Sequence, residues 1–369
     1  MLRKLVKHII LIINVCFVVL LFVSGSACLL NPAKYTIVAL LGLGFPIFVI
    51  IDIAFVVWWA VCRKKLFLLS LLALLPFVPR YVEFPFNDNK EAVNGTPIRI
   101  MSYNAHNFGL SKWPDHKKTM AEMVEFIGCE NLDIACFQEY STGERNLPTH
   151  QKLMEKFKYS HLYITMDTYN RGDTRNGLAT YSNYPIVGYK DIMSDGETSN
   201  AIIYTDIKIG DDTIRVFNTH LQSNKFSPEE YLFIEKVNSL NSDVYDKDKI
   251  DENKRGLEDV FHRMKGAYEW RVRQAETLAD YAGNSPYPVV ICGDFNETQS
   301  SYVYRLVSRN HHDSHKVACN GWKNTYRRFF PGLRIDYIIY DNPLKCQDFK
   351  VPQVDFSDHR PVVGEYSIN

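Results

Sequence analysis

Several common sequence signatures are missing from this chain of 369 residues. It contains neither a GxxxxGK[ST] motif nor a GxGxxG motif, which argues against a nucleoside triphosphatase and a dinucleotide-dependent enzyme. No two of its eight cysteines form a CxxC pair, so neither a zinc site nor a dense disulfide framework is indicated. Cys136 and Cys292 lie in apolar runs and are predicted to be core residues. The sequence leaves open whether Cys319 and Cys346 pair, which would require an oxidising compartment.

The chain also lacks an overall charge, but the zero net charge hides an uneven distribution. Residues 1–80 carry eight basic residues and one acidic residue, a net charge of +7. The remainder carries 34 basic and 41 acidic residues, a net charge of −7. A net-negative globular part lacks the general basic character of a tight, non-specific nucleic-acid binder, although local basic patches or bound metal ions can offset this.

What the N-terminal part has in abundance is apolar sequence, and three long runs predict a membrane anchor over residues 1–82. The predicted spans are residues 9–30, 35–62 and about 66–81. The first is an uncharged stretch of 22 residues, long enough to cross a bilayer as a helix. The apolar part of the third has only 14 residues. It either crosses, with Lys65 and Arg80 reaching the interfaces, or it lies re-entrant or along the surface.

Basic residues on either side of these runs predict the orientation. Arg3, Lys4 and Lys7 precede the first run, and residues 63–65 follow the second, so the positive-inside rule puts both clusters in the cytoplasm. Three spans then place the C-terminal part in the periplasm or exterior, as part of an integral protein of the cell (inner) membrane. Two spans would leave it in the cytoplasm. Residues 24–28 also permit interpretation as the end of a signal peptide, and the lone carboxylate Asp52 is assigned no role.

Residues 83–96 are polar and read as a linker, and residues 97–369 are predicted to form one globular domain. Strand-like runs rich in β-branched and aromatic residues alternate there with helical stretches, which indicates an α/β sandwich. The predicted strands are residues 98–105, 133–139, 178–182, 201–209, 213–220, 288–294, 334–340 and 362–367. Helices are predicted over residues 117–128 and 270–281, and a highly charged helical insertion at about 225–269. Whether the insertion is a lid, a partner surface or a spacer is open.

Polar side chains collect where the predicted strands end. They are Asn104, Gln138, Glu139, Asn218, His220, Asp294, Asn296, Asp336, Asp358 and His359. Strand residues two apart share a face, so Asn218 and His220 point the same way wherever the strand persists. Most of these residues, taken singly, are explained as a cap, a turn residue or a solvated strand end; Asp336 is harder to explain in this way, because a carboxylate inside an apolar strand needs a cation or a donor. Burying so many polar groups without partners would be costly, so their joint occurrence favours a site that binds a metal and a substrate.

Seven motifs follow one another along the chain. They are SYNAHNF, FQE, NGLATYSNYPI, NTHLQS, GDFN, RIDYI and SDHRPV. This order resembles the endonuclease/exonuclease/phosphatase superfamily, which includes DNase I, exonuclease III-type repair nucleases, neutral sphingomyelinases and inositol-polyphosphate 5-phosphatases. The resemblance runs from about residue 97 to 367, and GDFN with SDHRPV is its most specific pair. It implies an α+β fold, a DNase I-like four-layer αββα sandwich, with the active site at one rim. The N-terminal part, predicted to form about three transmembrane helices, precedes this domain and lies outside the resemblance.

Matched motif by motif, the resemblance implies a Mg²⁺ or Mn²⁺ cofactor. Glu139 is the implied principal metal ligand, helped by Asn104, and Asp358 is implied to reach this ion or a second one. Hard oxygen ligands of this kind suit Mg²⁺, which keeps several waters and bridges to phosphate.

The resemblance also implies the roles of the remaining residues. Asp294 orients or deprotonates the attacking water, and Asn296 donates a hydrogen bond to the phosphoryl oxygens. His359, oriented by Asp336, stabilises the pentacovalent state or protonates the leaving oxygen. The residues implied to contact the substrate phosphate are His220, Asn296 and, in support, Asn218. These are the residue types that charge neutralisation and proton transfer at a phosphodiester require.

The sequence therefore predicts a membrane-anchored, metal-dependent phosphoester hydrolase, preferably a phosphodiesterase of nuclease type. The alternatives are a phospholipid or sphingomyelin phosphodiesterase, a phosphoinositide phosphatase, and a non-catalytic binding protein on the same fold. The predicted partners are the bilayer and a phosphoester, either a nucleic acid or a phospholipid headgroup; no protein partner is evident. Residues 320–330 would suit a lipid through their aromatic side chains or a phosphate backbone through Arg327 and Arg328.

Overall fold

The chain divides into two compact units, Met1–Phe84 with Thr298–Arg305, and Pro85–Glu297 with Leu306–Asn369. The computed structural model describes residues 2–77, 97–110, 115–143, 148–167, 175–194, 200–238, 250–319, 321, 323–328 and 332–368. The predicted linker at 83–96 and residues 239–249 of the predicted insertion lie outside these ranges.

The N-terminal part is helical. Its helices are α1 (Leu2–Gly25), α2 (Thr36–Leu43), α3 (Phe45–Val61) and α4 (Phe67–Leu74), with 3₁₀ turns at Ala27–Leu29 and Leu75–Phe77. Residues Lys4–Leu29 are long and apolar enough to cross a membrane. The second predicted span is broken, because α2 and α3 meet at an angle of 60°. The third is the short apolar stretch Phe67–Phe77.

The prediction of about three transmembrane helices is therefore wrong. Among the described residues one helix qualifies, or two if the bent pair is taken as one span. The break has a local cause: Gly44 separates the two helices, and Pro46 lies in the first turn of α3. Proline has no N–H to continue the ladder and clashes with the preceding turn, which explains why an apolar run of sufficient length does not form one straight helix.

Polar side chains link α1, α3 and α4 inside this apolar unit. Asn14 Nδ2 donates to Ser70 Oγ at 2.6 Å, and Trp59 Nε1 donates to Asn14 Oδ1 at 2.9 Å. Ser70 Oγ in turn donates to Asp52 Oδ1 at 2.7 Å. Asp52 is thus part of an interhelical hydrogen-bond network. Such networks hold helices together where the packing surface is otherwise uniformly apolar.

The second unit is built on two six-stranded mixed sheets. The strands are β1 (Pro97–Asn104), β2 (Ile134–Thr142), β3 (Tyr159–Asp167), β4 (Arg175–Ser182), β5 (Ile186–Ser194), β6 (Ala201–Ile209), β7 (Asp212–His220), β8 (Val289–Asp294), β9 (His312–Asp313), β10 (Asp336–Tyr340), β11 (Leu344–Lys350) and β12 (Val362–Ile368). The first sheet has the order β11-β12-β1-β2-β4-β3, and the second has the order β5-β6-β7-β8-β10-β9. The chain thus forms two sheets packed face to face, as predicted.

Further helices occur in the part of the chain that the structure describes. They are α5 (His116–Cys129), α6 (Thr149–Met154), α7 (Pro228–Asn238), α8 (Ile250–Gly283), α9 (Tyr302–Ser308) and α10 (Ser314–Ala318), with a 3₁₀ turn at His106–Gly109. Met123 and Ile127 of α5 and Leu153 of α6 pack on the outer face of the first sheet. Helix α8 is linked to the loop that follows β7 of the second sheet, because the backbone N–H of Gln222 donates a hydrogen bond to Gln274 Oε1. The four-layer αββα prediction is confirmed.

Alternation along the strands decides which side chains face the space between the sheets. Ile98 and Ile100 of β1 and Ile134 and Cys136 of β2 meet inward-facing side chains of the second sheet, including Cys292. Met101 and Tyr103 lie on the opposite face, in the core under the helices. The inward-facing rows therefore continue, two residues further on, into the polar positions at the strand ends.

Candidate active site

The inward-facing rows of five strands end in polar side chains at the same edge of the sandwich. β1 runs parallel to β2, with Asn104 opposite Gln138, and β7 runs parallel to β8, with His220 opposite Asp294. β10 is antiparallel to β8, so its first residue, Asp336, also lies opposite Asp294. Because the two sheets pack face to face, these ends converge, and the side chains are almost fully buried.

Glu139 reaches the site through an irregularity in β2. The register with β4 shifts between Phe137 and Tyr140, and Glu139 has φ of 44°. Phe137 and Tyr140 both pack under the helices, so the intervening bulge re-aims Glu139, as bulges beside active sites commonly do. Its Oε1 accepts a hydrogen bond from Asn104 Nδ2 at 3.3 Å. Its side chain keeps 28% of its exposure, which leaves it accessible to a hydrated ion.

Asp294 is the most central carboxylate. Its Oδ2 accepts from Asn104 Nδ2 at 3.0 Å, and its Oδ1 accepts from Asn296 N at 2.8 Å. Burial raises the pKa of Asp294, and the nearby Asp336 raises it further, while His359 and His220 oppose the shift. A carboxylate whose pKa lies above its ordinary value is a better proton acceptor near neutral pH.

The turn after Asp294 is tight. Gly293 approaches β7 so closely that an added Cβ would lie 2.1 Å from Thr219 O, which explains the glycine of GDFN. Asn296 follows at φ of 52° and donates from Nδ2 to Leu221 O at 3.0 Å. The amide predicted to bind a phosphoryl oxygen thus also joins the loops after β7 and β8.

His359 lies between two carboxylates. Its Nδ1 is 3.0 Å and 3.2 Å from the two oxygens of Asp336, and its Nε2 is 3.7 Å from Asp294 Oδ2. Burial lowers the pKa of His359, but the charges of Asp336 and Asp294 outweigh this effect and raise it to about 10. At neutral pH the imidazole is therefore protonated and can donate from Nε2.

His220 contributes an imidazole without a hydrogen bond on either nitrogen. It is 2% exposed, and its Nε2 lies 3.9 Å from Glu139 Oε1 and 3.8 Å from Asp294 Oδ2. A buried polar group of this kind requires a partner from a ligand. Asn218, two residues earlier, instead spans the sandwich. Its Nδ2 lies 3.2 Å and 3.0 Å from the carbonyl oxygens of Phe137 and Ala179.

Asp358 lies beside this group with both oxygens engaged. His106 Nδ1 is 2.7 Å from Oδ1, and Arg328 Nε is 3.4 Å from Oδ2. Burial opposes ionisation, but the contacts with His106, His359 and Arg328 together hold the pKa of Asp358 below its ordinary value. The carboxylate is accordingly ionised. Its predicted role as a metal ligand requires one of these cations to give way.

Arg271 is a site residue that the sequence analysis did not identify. It is 1% exposed and joins the loops after β7 and β8: Nη1 donates to Gln222 O at 3.2 Å and to Asn296 O at 3.1 Å. Its Nη2 donates to Asn224 Oδ1 at 3.0 Å, and its Nε lies 3.0 Å from Glu297 Oε1. The amphipathic pattern of α8 marks a buried face but does not reveal this contact.

Two hydroxyl groups that the sequence analysis also missed hold the site from behind. Ser357 Oγ donates to Asn104 O at 2.9 Å and accepts from His359 N at 3.1 Å. Thr325 Oγ1 accepts from the backbone N–H groups of Ile335 and Asp336 at 3.0 Å and 3.1 Å. Segments far apart in sequence are thereby held at one edge.

The two adjacent arginines have different surroundings. Arg327 Nη2 donates to Ser357 O at 2.6 Å, and Arg327 also pairs with Asp355, so it holds the loop before His359. Arg328 stacks on the ring of Tyr231 of α7 at 5.1 Å and reaches Asp358 from the solvent side, with 49% of its side chain exposed. Of the two, Arg328 is the one available to a ligand.

The donor groups can be tested against a divalent ion. Among the described residues, Asp294, Asp336 and His359 lie close enough together to hold a metal. A protonated His359 has no lone pair for a metal, and Asp336 is already its partner. Glu139 and Asn104 offer oxygen ligands, and the Glu139 side chain is partly exposed, which fits Mg²⁺ or Mn²⁺ with some water ligands retained. Such an ion would replace the hydrogen bond that Asn104 now donates to Glu139.

With fold and site established, the chain can be placed among known proteins. Residues 101–359 match the model of the endonuclease/exonuclease/phosphatase family, so the chain belongs to this family. Membership indicates a phosphoester hydrolase, and the buried cluster of acidic and histidine side chains is of the type that holds divalent metal ions. Residues 7–82 match a separate model described as a domain of unknown function, DUF8431. No curated protein matches the chain.

Solved structures agree on the fold. An endonuclease/exonuclease/phosphatase from Beutenbergia cavernae DSM 12333 is 16% identical, with a TM-score of 0.52 over 74% of this chain and 72% of that one. A family protein from Bacteroides thetaiotaomicron is 16% identical, with a TM-score of 0.51 over 75% and 99% of the two chains. One from Bacteroides vulgatus is 15% identical, with a TM-score of 0.50 over 74% and 100%. At these identities the likeness concerns the fold.

Proposed function

We propose that the chain is a Mg²⁺- or Mn²⁺-dependent phosphodiesterase of nuclease type, held at a membrane by its apolar N-terminal part. The observation that carries this proposal is the convergence of Glu139, Asp294, His220 and the Asp336–His359 pair at one edge of the sandwich. Within a few ångströms, these groups provide a proton acceptor, a protonated donor and an oxygen ligand for a metal.

The reaction follows from these charges. Asp294, whose pKa is raised by burial, takes a proton from the attacking water as the water oxygen bonds to phosphorus. The bond from phosphorus to the leaving oxygen breaks, and protonated His359 gives that oxygen a proton from Nε2. Asp336 positions His359 and balances its charge. When bound by Glu139 and Asn104, the divalent ion neutralises negative charge on the phosphate.

Three further residues complete the proposed roles. His220, which has no partner for either nitrogen, donates to a phosphate oxygen, and Asn296 contributes a second donor. Asn218 acts as a positioning residue, because its amide is used between the sheets. Asp358, paired with His106 and Arg328, is proposed to reach a metal ion once substrate has drawn Arg328 away.

Membrane attachment is proposed from the helix Lys4–Leu29, which has the length and composition of a span. A secretion signal has the same length and composition, and it would direct the C-terminal domain to the same side of the membrane. With Lys4–Leu29 as the one span, Arg3, Lys4 and Lys7 at its start favour a cytoplasmic N-terminal end, and we propose on this basis that the catalytic domain faces the periplasm or exterior.

Hydrolysis by the full chain, purified in detergent, tests the proposal. The substrates are duplex and single-stranded DNA, RNA, sphingomyelin, phosphoinositides and a chromogenic phosphodiester, each with Mg²⁺, with Mn²⁺ and with a chelator. We expect metal-dependent cleavage of a nucleic acid, lost in Asp294→Ala and in His359→Ala and retained in Asp191→Asn. Asp191 is the matched control because it pairs with His161 at 3.0 Å on an exposed surface.

The outcomes separate the alternatives. Preferred cleavage of a lipid would replace the nuclease assignment with that of a lipid phosphodiesterase. Turnover unaffected by chelation or by either alanine variant would contradict the mechanism. If no substrate is hydrolysed and calorimetry detects no binding of Mg²⁺ or Mn²⁺, the result would favour a non-catalytic binding protein on this fold.

A further inference from the structure

A cavity of about 450 Å³ lies beside the loop that leaves β7, and the roles given above do not account for it. One wall consists of residues 222–225, which are separated from His220 by Leu221 alone. The other walls come from α8 and from Glu230 of α7, so most of the cavity belongs to the predicted insertion at 225–269. Its volume is that of a small-molecule site, roughly 300–1,000 Å³.

The α8 wall is a single helical face. Its lining residues are Asp259, His262, Arg263, Gly266, Ala267 and Trp270. They recur at intervals of three and four residues and therefore face the same way. Gly266 is in the middle of this face, and a Cβ added there would meet no atom within 4 Å. A side chain at this position would therefore extend into open space.

The walls are held by contacts that do not depend on a ligand. Ser227 and Glu230 form a capping box at the start of α7, since Ser227 N donates to Glu230 Oε2 and Glu230 N donates to Ser227 Oγ. Glu230 Oε1 also lies 3.4 Å from Arg263 Nε of α8. The backbone of Gln222 is fixed by Gln274 and Arg271. The cavity is thus pre-formed, as binding sites usually are.

Two features of the lining point to a ligand. Gln222 is 6% exposed, and its Oε1 has no hydrogen-bond donor. A buried acceptor without a donor is destabilising, and an N–H or O–H group of a ligand would supply the missing hydrogen bond. Trp270 is 38% exposed at the same cavity and offers a ring on which a planar group can stack.

The charges of the lining are balanced. Lys225 and Arg263 are matched by Glu230 and Asp259, so the cavity suits a neutral polar group better than a second phosphate. A nucleoside meets this description, because its base is neutral and planar, carries N–H donors and is joined through the sugar to a phosphoester.

We propose that this cavity binds the nucleoside attached to the scissile phosphate, with its base against Trp270 and a donor group on Gln222 Oε1. The inference rests on the proposed function, because the phosphate must be held at the active site. On this proposal, the helices that line the cavity select phosphoesters that carry a nucleoside. Base–aromatic stacking contributes about 1–3 kcal/mol per base, and a tenfold change in affinity corresponds to about 1.4 kcal/mol.

Two chromogenic substrates with one leaving group isolate this contribution. Thymidine p-nitrophenyl phosphate, as the 3′ and the 5′ ester, carries the nucleoside, and methyl p-nitrophenyl phosphate lacks it. The variants are Gly266→Phe, which fills the cavity, and Trp270→Ala, which removes the ring. The controls are Gly283→Phe, at a second open glycine of α8, and Leu257→Ala, at an exposed position of the same helix. All are made in the full chain.

For at least one thymidine ester, we expect Gly266→Phe and Trp270→Ala to raise KM about tenfold. The ratio of kcat/KM between that ester and the methyl ester should fall about tenfold in both variants and stay within twofold in both controls. An equal loss on both substrates, or no loss in a variant whose melting temperature matches the parent, would overturn the proposal. Cleavage of the methyl ester with no preference for a thymidine ester would overturn it while leaving the proposed hydrolase intact. Cleavage of neither ester by the parent would overturn both.

Discussion

His359 is buried against Asp336 and Asp294, and these two carboxylates together keep the imidazole protonated. Local sequence alone reveals neither partner, because Asp336 lies 23 residues and Asp294 65 residues before His359; the family resemblance implied the pairing with Asp336 but not the proximity of Asp294. The geometry shows that the proton on His359 depends on charge supplied by other strands. This dependence can be tested by changing the charge of one partner without changing its size.

We predict that Asp336→Asn lowers kcat on the chromogenic diester by about 100-fold, the lower range of what one proton-transfer group contributes. Without the Asp336 charge, burial dominates and lowers the pKa of His359, so that less of the imidazole is protonated at pH 7. The measurement is kcat at saturating substrate, with circular dichroism to check folding. Asp191→Asn is the control, and a folded Asp336→Asn enzyme within threefold of the parent would refute the role.

Glu139 offers a second test at the residue scale. We predict that Glu139→Gln raises the Mg²⁺ concentration for half-maximal activity by about 10-fold or more, because a neutral amide is a weaker ligand for a hard cation. The measurement is activity against Mg²⁺ concentration at fixed substrate. The control is Glu155→Gln, at an exposed surface pair with Lys152, which should leave the curve unchanged. An unchanged curve for Glu139→Gln would show that Glu139 is not a ligand of the metal.

At the scale of elements, the site depends on contacts between loops that belong to different strands. The loops after β7 and β8 are joined by Arg271 of α8, whose guanidinium contacts Gln222, Asn224, Asn296 and Glu297. Helix α8 thereby has two functions along its length: its buried face covers the sheet, and one arginine on that face joins the loops that follow His220 and Asp294, which the pairing of β7 with β8 places opposite each other.

We predict that Arg271→Met lowers the free energy of unfolding by about 3–5 kcal/mol, because removing one member of a buried ion pair leaves the other charge buried. The double variant Arg271→Met/Glu297→Leu should recover most of that stability but not the activity, since the loop contacts remain lost. Denaturant unfolding and kcat are the measurements. Arg255→Met, at an exposed position on the same helix and outside the cavity lining, is the control, and full activity in the stable double variant would show that the contacts are only structural.

At the scale of the whole molecule, the N-terminal unit and the hydrolase domain match separate family models, which join at about residues 82–101. The apolar helix Lys4–Leu29 and the interhelical network around Asn14 give the first unit its own internal order. The proposed attachment therefore belongs to the first unit, and the proposed hydrolysis belongs to the second.

We predict that the full chain sediments with membranes and resists extraction with alkaline carbonate, because the apolar area of one span is enough for stable insertion. A protease site placed after residue 90 should release the C-terminal part when protease is added to the outside of intact cells. Recovery of the full chain in the soluble fraction would contradict anchoring, and release only after lysis would reverse the proposed orientation.

The sequence by itself determined the elements whose patterns are local. The strand predicted over residues 201–209 coincides with β6, and the helix predicted over 117–128 falls within α5, because alternation and helical periodicity are set by nearest neighbours. Strands β3, β5 and β11 were not among the predicted ones. Each includes several polar or exposed side chains, so little hydrophobic alternation remains to identify them.

The polar residues of the site were also predicted from the sequence, since their motifs are short and each ends an apolar run. Only the tertiary structure decided how they are used. The contact of Asn104 with Asp294 and that of Arg271 with Asn296 join segments 190 and 25 residues apart, and the bulge at Glu139 arises where β2 pairs with β4. Likewise, an apolar run from 35 to 62 predicts membrane affinity, but a Gly-Phe-Pro break turned it into two helices at 60°. Apolar composition determines that a segment is removed from water, whereas packing between distant segments determines which residues it contacts.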